Sequence, residues 1–360
     1  MRIPHLYNGP DKFFFFFSYN GIQQQRVDQN PTYSVPKAAW RTGDFSDLLA
    51  VDAVKYTIYD PRSAQLVNGR VVRTPFPNNQ TPLLNPMYDA YTKLLPMPNN
   101  PAGLVTPEGR RNYLAAGQLS GEAFDSLINR FDYNISGRHR LYGRWYWNHN
   151  LESQGDWAYE TKPGLATNGL DRGGHGAGLD YIWVIGNNTT MTVGANGTRF
   201  WAGNKRPVQT RYKPTDVGLP AYLDDKAGSL TTLPSVVFGV APSIGSSYPA
   251  VTERGTTVEA KAAFITVVRN HSLKYGYNER RYQFTSAGPG NTSGRFAFDQ
   301  TFVRQADNTT TADNLGLEWA AFRLGLPTSM SIDTNDSGYW VTPFRALYLH
   351  DDWRVNSRHP

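Results

Sequence analysis

The chain has no cysteine, so neither a disulfide framework nor a thiolate metal site is available to its 360 residues. Long apolar runs are missing too. No stretch approaches the roughly 20 apolar residues of a spanning helix, which excludes a helical membrane protein. Heptads are absent, and charged residues make up only 18 % of the chain. Its 36 Lys and Arg are spread singly among 30 Asp and Glu, so the net charge of +6 is not gathered into a nucleic-acid-binding stripe. No nucleic-acid partner is expected. No apolar h-region follows Met1, so these residues carry no secretory signal. The last residues, Val355-Asn-Ser-Arg-His-Pro360, read as the start of a turn, and the chain is expected to be a fragment of something longer.

Rings and turn-formers are abundant. With 21 Tyr, 18 Phe and 9 Trp the chain can bury far more apolar area than a disordered segment could. Its 33 Gly and 24 Pro divide the apolar residues into short bursts. This composition is that of a β protein.

Five phenylalanines, Phe13 to Phe17, precede Ser18-Tyr-Asn-Gly21 and read as a strand whose alternate rings point to opposite faces. From about 26 to 122 the texture changes to Pro, Asn and Gly. A short helix is expected there at Tyr88 to Leu95, closed by Pro96. Regular alternation begins near Phe124. Phe131, Tyr133 and Ile135 fall on one face, with Arg130, Asp132 and Asn134 on the other. After the turn Ser136-Gly-Arg-His139, Leu141, Trp145 and Trp147 oppose Arg140, Arg144 and Asn148. The hairpin recurs as Leu179 to Ile185 with Thr190 to Phe200, and again as Val258 to Val268 with Ser272 to Phe284. In that last strand Leu273, Tyr275 and Tyr277 oppose Lys274, Asn278 and Arg280. A second short helix is expected over Leu317 to Leu324, and a final strand over Phe344 to Val355. The segment Gly294 to Val303 is left out, because counting it would put a long connection at the turn end.

The rhythm of the connections decides the architecture. Tight turns near 137, 187, 270 and 357 alternate with connections of about 20 to 100 residues. In an up-and-down antiparallel sheet this places the tight turns at one end and the long loops at the other, as in outer-membrane barrels. The expected fold is all-β: an incomplete transmembrane antiparallel up-and-down β-barrel. About eight strands of a larger barrel are present, with long extracellular loops and lipid of the outer membrane as one partner. The inward face carries Arg130, Asp132, Arg140, Arg144, Lys274 and Arg280, which would brace a plug or line a wet lumen.

Enzyme signatures are missing: the chain has no G-x-S-x-G elbow, H-E-x-x-H helix or P-loop. Gly174-His-Gly-Ala-Gly178 leads into a strand rather than a helix, and small residues at the start of a barrel strand account for it. His149 and His175, with Glu152 and Asp156 nearby, lack a third ligand at fixed spacing, so no metal and no cofactor are expected. Asp351 and Asp352 point to opposite faces of a strand and cannot share a site; Asp352 is expected to pair with an inward Arg. Trp157, Tyr159, Tyr212, Tyr222 and Tyr248 in the long loops are expected either to stack on sugars or to pack among the loops.

Several segments, taken in order, resemble the barrel of the Oar-like TonB-dependent outer-membrane receptors frequent in acidobacteria. Leu6-Tyr-Asn-Gly-Pro-Asp-Lys-Phe-Phe-Phe-Phe-Phe-Ser-Tyr-Asn-Gly21 resembles the junction of plug and first barrel strand. Val35-Pro-Lys-Ala-Ala-Trp-Arg-Thr-Gly-Asp-Phe-Ser46 and Ile58-Tyr-Asp-Pro61 are similar to landmarks of the first long loop. Arg269-Asn-His-Ser-Leu-Lys-Tyr-Gly276 and Tyr348-Leu-His-Asp-Asp-Trp-Arg-Val355 are similar to recurring turn-and-strand signatures. The resemblance implies that residues 1–12 end the plug and 13–360 form the N-terminal part of the barrel, with 26–122 as the first extracellular loop. It also implies a parent receptor in the cell outer membrane that imports a small nutrient such as carbohydrate or peptide. Its energy would come from the TonB complex acting through a plug that these residues do not include. Two alternatives are a surface adhesion or carbohydrate-binding protein without transport, and a soluble β-sandwich with Trp145, Trp147, Trp183 and Trp353 in a closed core.

Overall fold

Phe13–Val27 (β1) pairs along its whole length with Leu119–Asn134 (β2), from Phe13 opposite Tyr133 to Val27 opposite Leu119. The sheet continues, each strand beside the last, through His139–Ser153 (β3), Gly169–Ile185 (β4) and Thr189–Lys205 (β5). Thr252–Val268 (β6), His271–Ala287 (β7) and Gly338–Trp353 (β8) complete it. All eight strands lie in one antiparallel sheet in chain order, and β1 and β8 remain its two open edges among the described residues. These are the eight strands expected from the alternation. The computed structural model describes residues 12–27, 32–100, 106–115, 119–153, 169–205, 212–245, 252–288, 290–307, 315–333 and 337–355.

Three tight turns, at 135–138, 186–188 and 269–270, lie at one end of the sheet. Gly186 (φ 66°) and Arg269 (φ 53°) take left-handed conformations there. The turn expected near 357 lies outside the described residues. The long connections, 28–118, 154–168, 206–251 and 288–337, all leave from the opposite end. The strands run further toward that end than the apolar alternation reaches. β2 starts at Leu119, and β4 starts at Gly169 and takes in the glycines from Gly173 to Gly178. The backbone ladder continues there with polar and small side chains, which carry no apolar periodicity.

Residues opposite each other in antiparallel strands share a face, so the register sorts every side chain. One face is apolar. Phe15, Phe131, Leu179, Ala195 and Ala260 form one of its rows, and Tyr133, Leu141, Tyr181, Val193, Ala262, Tyr277 and Leu347 form the next toward the turns. Trp145, Trp147, Trp183 and Trp353 all lie on this face. Trp145 (43 % exposed), Trp183 (38 %) and Trp353 (56 %) are open, which overturns the closed-core reading.

Toward the loop end, the polar border of the apolar face is slanted. After Asn129, it is met at Asp125 on β2, His149 on β3, His175 on β4 and Arg199 on β5. On β7 and β8 it comes at Glu279 and Arg345, which lie several registers nearer the turns. At the turn end the border slants the same way, from His139 on β3 to Trp353 on β8. A slant of about one residue per strand is the stagger that strands tilted by about 40° require if the band is to stay level in a membrane. On β3, His139 and His149 bound the band. Their separation of ten residues spans about 33 Å along the strand, or about 25 Å once tilted, the height of an outer-membrane apolar band.

The main hydrophobic core lies outside the sheet, in the connections. The described parts of those at 28–118, 206–251 and 288–337 condense around the helix Leu315–Leu324, every residue of which is buried. The first connection supplies Ala38–Thr42 (α1), Asp47–Tyr56 (α2) and Pro86–Leu94 (α3); Tyr222–Ala227 (α4) follows, and Leu315–Leu324 is α5. α3 begins two residues before the expected Tyr88, because Asn85 caps it by accepting from the Met87 N–H and Pro86 fits its first turn. Arg41 closes its other end, donating to the carbonyls of Thr92, Leu95 and Pro96. Tyr88, Tyr91, Phe238 and Phe298 surround Phe322, while Trp40, Phe45, Leu48 and Ile58 fill the far side. Arg295–Phe298, inside the segment left out of the strand count, belongs to a small separate sheet with Ser235–Phe238 and Ser329–Ser331.

Candidate functional site on the polar face of the sheet

The opposite face of the sheet collects the six residues singled out in the sequence. Arg130 stands opposite Arg144, and the register carries that row through Gly178, Asn196 and Glu259 to Arg280. One row nearer the turns, Asp132 aligns with Tyr142, Asp180, Gly194, Lys261 and Asn278. Arg140 lies in the next row and Lys274, opposite Ile265, in the one after. Sequences that alternate on strands of one hairpin thus keep their charges together across the sheet.

Three ion pairs organise the middle of this face: Arg130 with Asp132 (2.8 Å), Lys261 with Asp180 (2.9 Å) and Arg280 with Glu259 (3.0 Å); a fourth, Arg172 with Glu152, lies nearer the loops. Glu259 also accepts from the Asn196 and Asn278 amides, at 2.7 and 2.6 Å. Gly194 makes room for the middle pair: a Cβ there would lie 2.2 Å from Asp180 Oδ1 and 2.9 Å from Lys261 Cε. The Arg130 guanidinium lies over the Tyr142 ring, at 5.1 Å. Arg140, Arg144 and Lys274 are outside the ion pairs found among the described residues. Arg130, Arg140, Arg144, Lys261, Lys274 and Arg280 therefore outnumber Asp132, Asp180 and Glu259, and the middle of the face is positive.

Toward the loop end the same face turns aromatic. Phe200, Gly255, Phe284 and Trp340 are opposite one another on β5, β6, β7 and β8. Ring centroids lie 6.3 Å apart for Phe200 and Phe284 and 5.8 Å for Phe284 and Trp340. A Cβ at Gly255 would stand 2.0 Å from the Phe200 ring, so only glycine lets the ring lie across β6. Phe200 and Trp340 are about half exposed, at 47 and 53 %. This shelf is absent from the sequence-based site. Its only signal is that Phe284 has the same parity as Lys274 and Arg280, an aromatic on the charged phase of its strand.

The other candidates disperse. His149 and His175 lie on the apolar face; His149 Nε2 is 2.8 Å from Asp171 Oδ1, and both rings adjoin Trp201. No cluster of metal ligands occurs among the described residues, and Asp156 is outside them. Asp351 and Asp352 do face opposite ways, Asp351 pairing with His271 (2.7 Å). Asp352 stands opposite Ser272 and joins none of the ion pairs of the described residues. Tyr212 packs against the loop core and Tyr222 is exposed, whereas Trp157, Tyr159 and Tyr248 lie outside the described residues.

A family model, described as an outer membrane beta barrel domain, matches residues 6–358. The chain belongs to that family. Its place is the cell outer membrane, and its sheet is a transmembrane antiparallel barrel sheet that does not close on itself. No curated protein matches the chain. Among solved structures, the outer membrane transporter YddB from Escherichia coli aligns at 9 % identity over 69 % of this chain and 27 % of its own, with a TM-score of 0.40. The ferric-catecholate import receptor Fiu from E. coli K12 aligns in its closed form at 9 % identity over 96 % of this chain and 39 % of its own (TM-score 0.39). In its open form the figures are 8 %, 97 % and 43 % (0.38). The chain thus spans 27 to 43 % of the length of these proteins.

One titratable group of this barrel domain is set apart within its loops. Glu318, on α5, accepts from three consecutive backbone N–H groups, those of Gly239 (2.9 Å), Val240 (3.0 Å) and Ala241 (2.6 Å). Burial pushes its carboxyl up to about 7, against the opposing pull of those three donors. It ties the second of the condensed connections to the third and serves the loop body rather than the polar face.

Proposed function

We propose that the chain is the N-terminal part of the barrel of an Oar-like TonB-dependent receptor. Residues 1–12 end its plug, 13–360 build barrel wall, and the condensed connections form an extracellular cap. The polar face lines the lumen, where the charged rows brace the plug and the aromatic shelf meets the incoming nutrient at the mouth. The role is transport, not catalysis. The observation that carries this reading is the division of one face into a positive middle and an aromatic rim in which Phe284 lies between the half-exposed Phe200 and Trp340. Rings presented edge to edge at the mouth of a wet pore suit stacking on sugar rings or on the side chains of a peptide.

The test is uptake by the full-length receptor in its own outer membrane. Labelled oligosaccharides and oligopeptides are offered with the TonB complex active or inactivated. Uptake of one class is expected, and it should cease without TonB. Phe284→Ala and Trp340→Ala should each weaken binding by about fivefold, corresponding to roughly 1 kcal/mol per ring. Binding that persists unchanged in both variants, or uptake independent of TonB, contradicts the proposal.

A further inference from the structure

Three arginines stand where an outer-membrane strand has little reason to place them. Arg199, Arg254 and Arg281 lie on the apolar face of the neighbouring strands β5, β6 and β7, at its loop-side border. Arg199 is opposite Thr256, Arg254 opposite Trp201, and Arg281 opposite Val258. All three are exposed. None takes part in an ion pair or hydrogen bond found among the described residues. The acids of that face are engaged elsewhere: Glu279 with Arg345 at 3.0 Å, and Asp171 with His149. Glu253, next in sequence to Arg254, points to the other face.

A cation on the lipid-facing side costs about 2–4 kcal/mol at the bilayer centre and close to nothing at the interface. The slanted border puts these three guanidiniums at the interface, at headgroup depth, where lipid phosphates are within their reach. Strand spacing and rise place the Arg199 and Arg254 Cα atoms about 8 Å apart, and Arg281 about 12 Å from Arg199. Trp201 sits beside them as an interfacial ring. Guanidinium forks at such spacing suit phosphates carried on one headgroup or on two adjacent ones.

We infer that Arg199, Arg254 and Arg281 form a binding site on the outer wall of the barrel for a phosphate-bearing lipid of the loop-side leaflet. The inference rests on the membrane placement of the sheet and not on the transport reading, so either can fail alone. The probe is lipid A, intact or enzymatically dephosphorylated, titrated into the full-length protein in neutral detergent, with binding read by native mass spectrometry. Intact lipid A is expected to stay bound, and the dephosphorylated form to dissociate. Replacing all three arginines by Gln should weaken binding by about fivefold per guanidinium removed. Arg→Lys at all three positions should restore most of it; should the Gln variant not fold, the Lys variant and the two lipid forms still decide the matter. Equal binding of the two lipid forms, or full binding by the Gln variant, overturns the inference.

Discussion

Glu318 couples the loop body to pH in a direction that can be worked out. Its carboxyl titrates near 7 when folded and near 4.5 when exposed. Between those values the folded chain holds a proton that the unfolded chain has released. Its contribution is therefore complete below about pH 4.5 and is lost as the pH rises through 7, with a range on the order of 3 kcal/mol. Hydrogen-exchange protection of the Gly239, Val240 and Ala241 amides is expected to fall over that interval, and Glu318→Gln should flatten the fall. Arg323 predicts a different effect. Buried, it donates to the carbonyls of Arg41, Thr42 and Thr81 and lies over the Tyr88 ring. Arg323→Ala leaves those acceptors without their donor and should destabilise the cap by about 2–4 kcal/mol, read as faster proteolysis of the loops while the barrel strands stay protected. On the polar face, Gly194→Val should break the Lys261–Asp180 pair, because its side chain would occupy the place of the Asp180 carboxylate.

Among the elements, the strands were legible and the cap was not. Each hairpin announces itself locally: alternation in Arg130 to Ile135, a turn, then alternation again in Arg140 to Asn148. The register follows, because a slip of one residue would exchange Phe131 with Arg130 on the lipid side. The six charged candidates could be assigned to one face on parity alone. Asp180 and Lys261, which pair with each other, were not found, since they come from strands far apart in sequence; nor were Glu259, the partner of Arg280, and the shelf of Phe200, Phe284 and Trp340. The cap is harder still. α5 could be read as a helix, yet burial on all sides leaves no polar stripe to say where it docks. Its neighbours Tyr88 and Phe238 come from connections more than a hundred residues apart along the chain. Trp319→Ala should cost the cap about 3–5 kcal/mol through the cavity it leaves, measurable as a lower denaturation midpoint of loop fluorescence with the strand signal unmoved.

At the scale of the molecule, the sheet is an arc with two open edges, an apolar band of bilayer height on one side and a charged, ring-edged surface on the other. The slanted borders join these observations, because only tilted strands with the apolar face outward keep such a band level. An unpaired edge such as Gly338–Trp353 also predicts aggregation if the 360 residues are expressed without further strands. The central claim is the assignment of the two faces to lipid and to water, and the chain is well suited to testing it, since it has no cysteine of its own. Single cysteines placed from 140 to 147 along β3 of the full-length protein in outer membranes are offered a water-soluble maleimide. Labelling is expected to alternate, strong at 140, 142 and 144 and weak at 141, 145 and 147. Uniform labelling along the strand, or alternation in the opposite phase, would contradict the account.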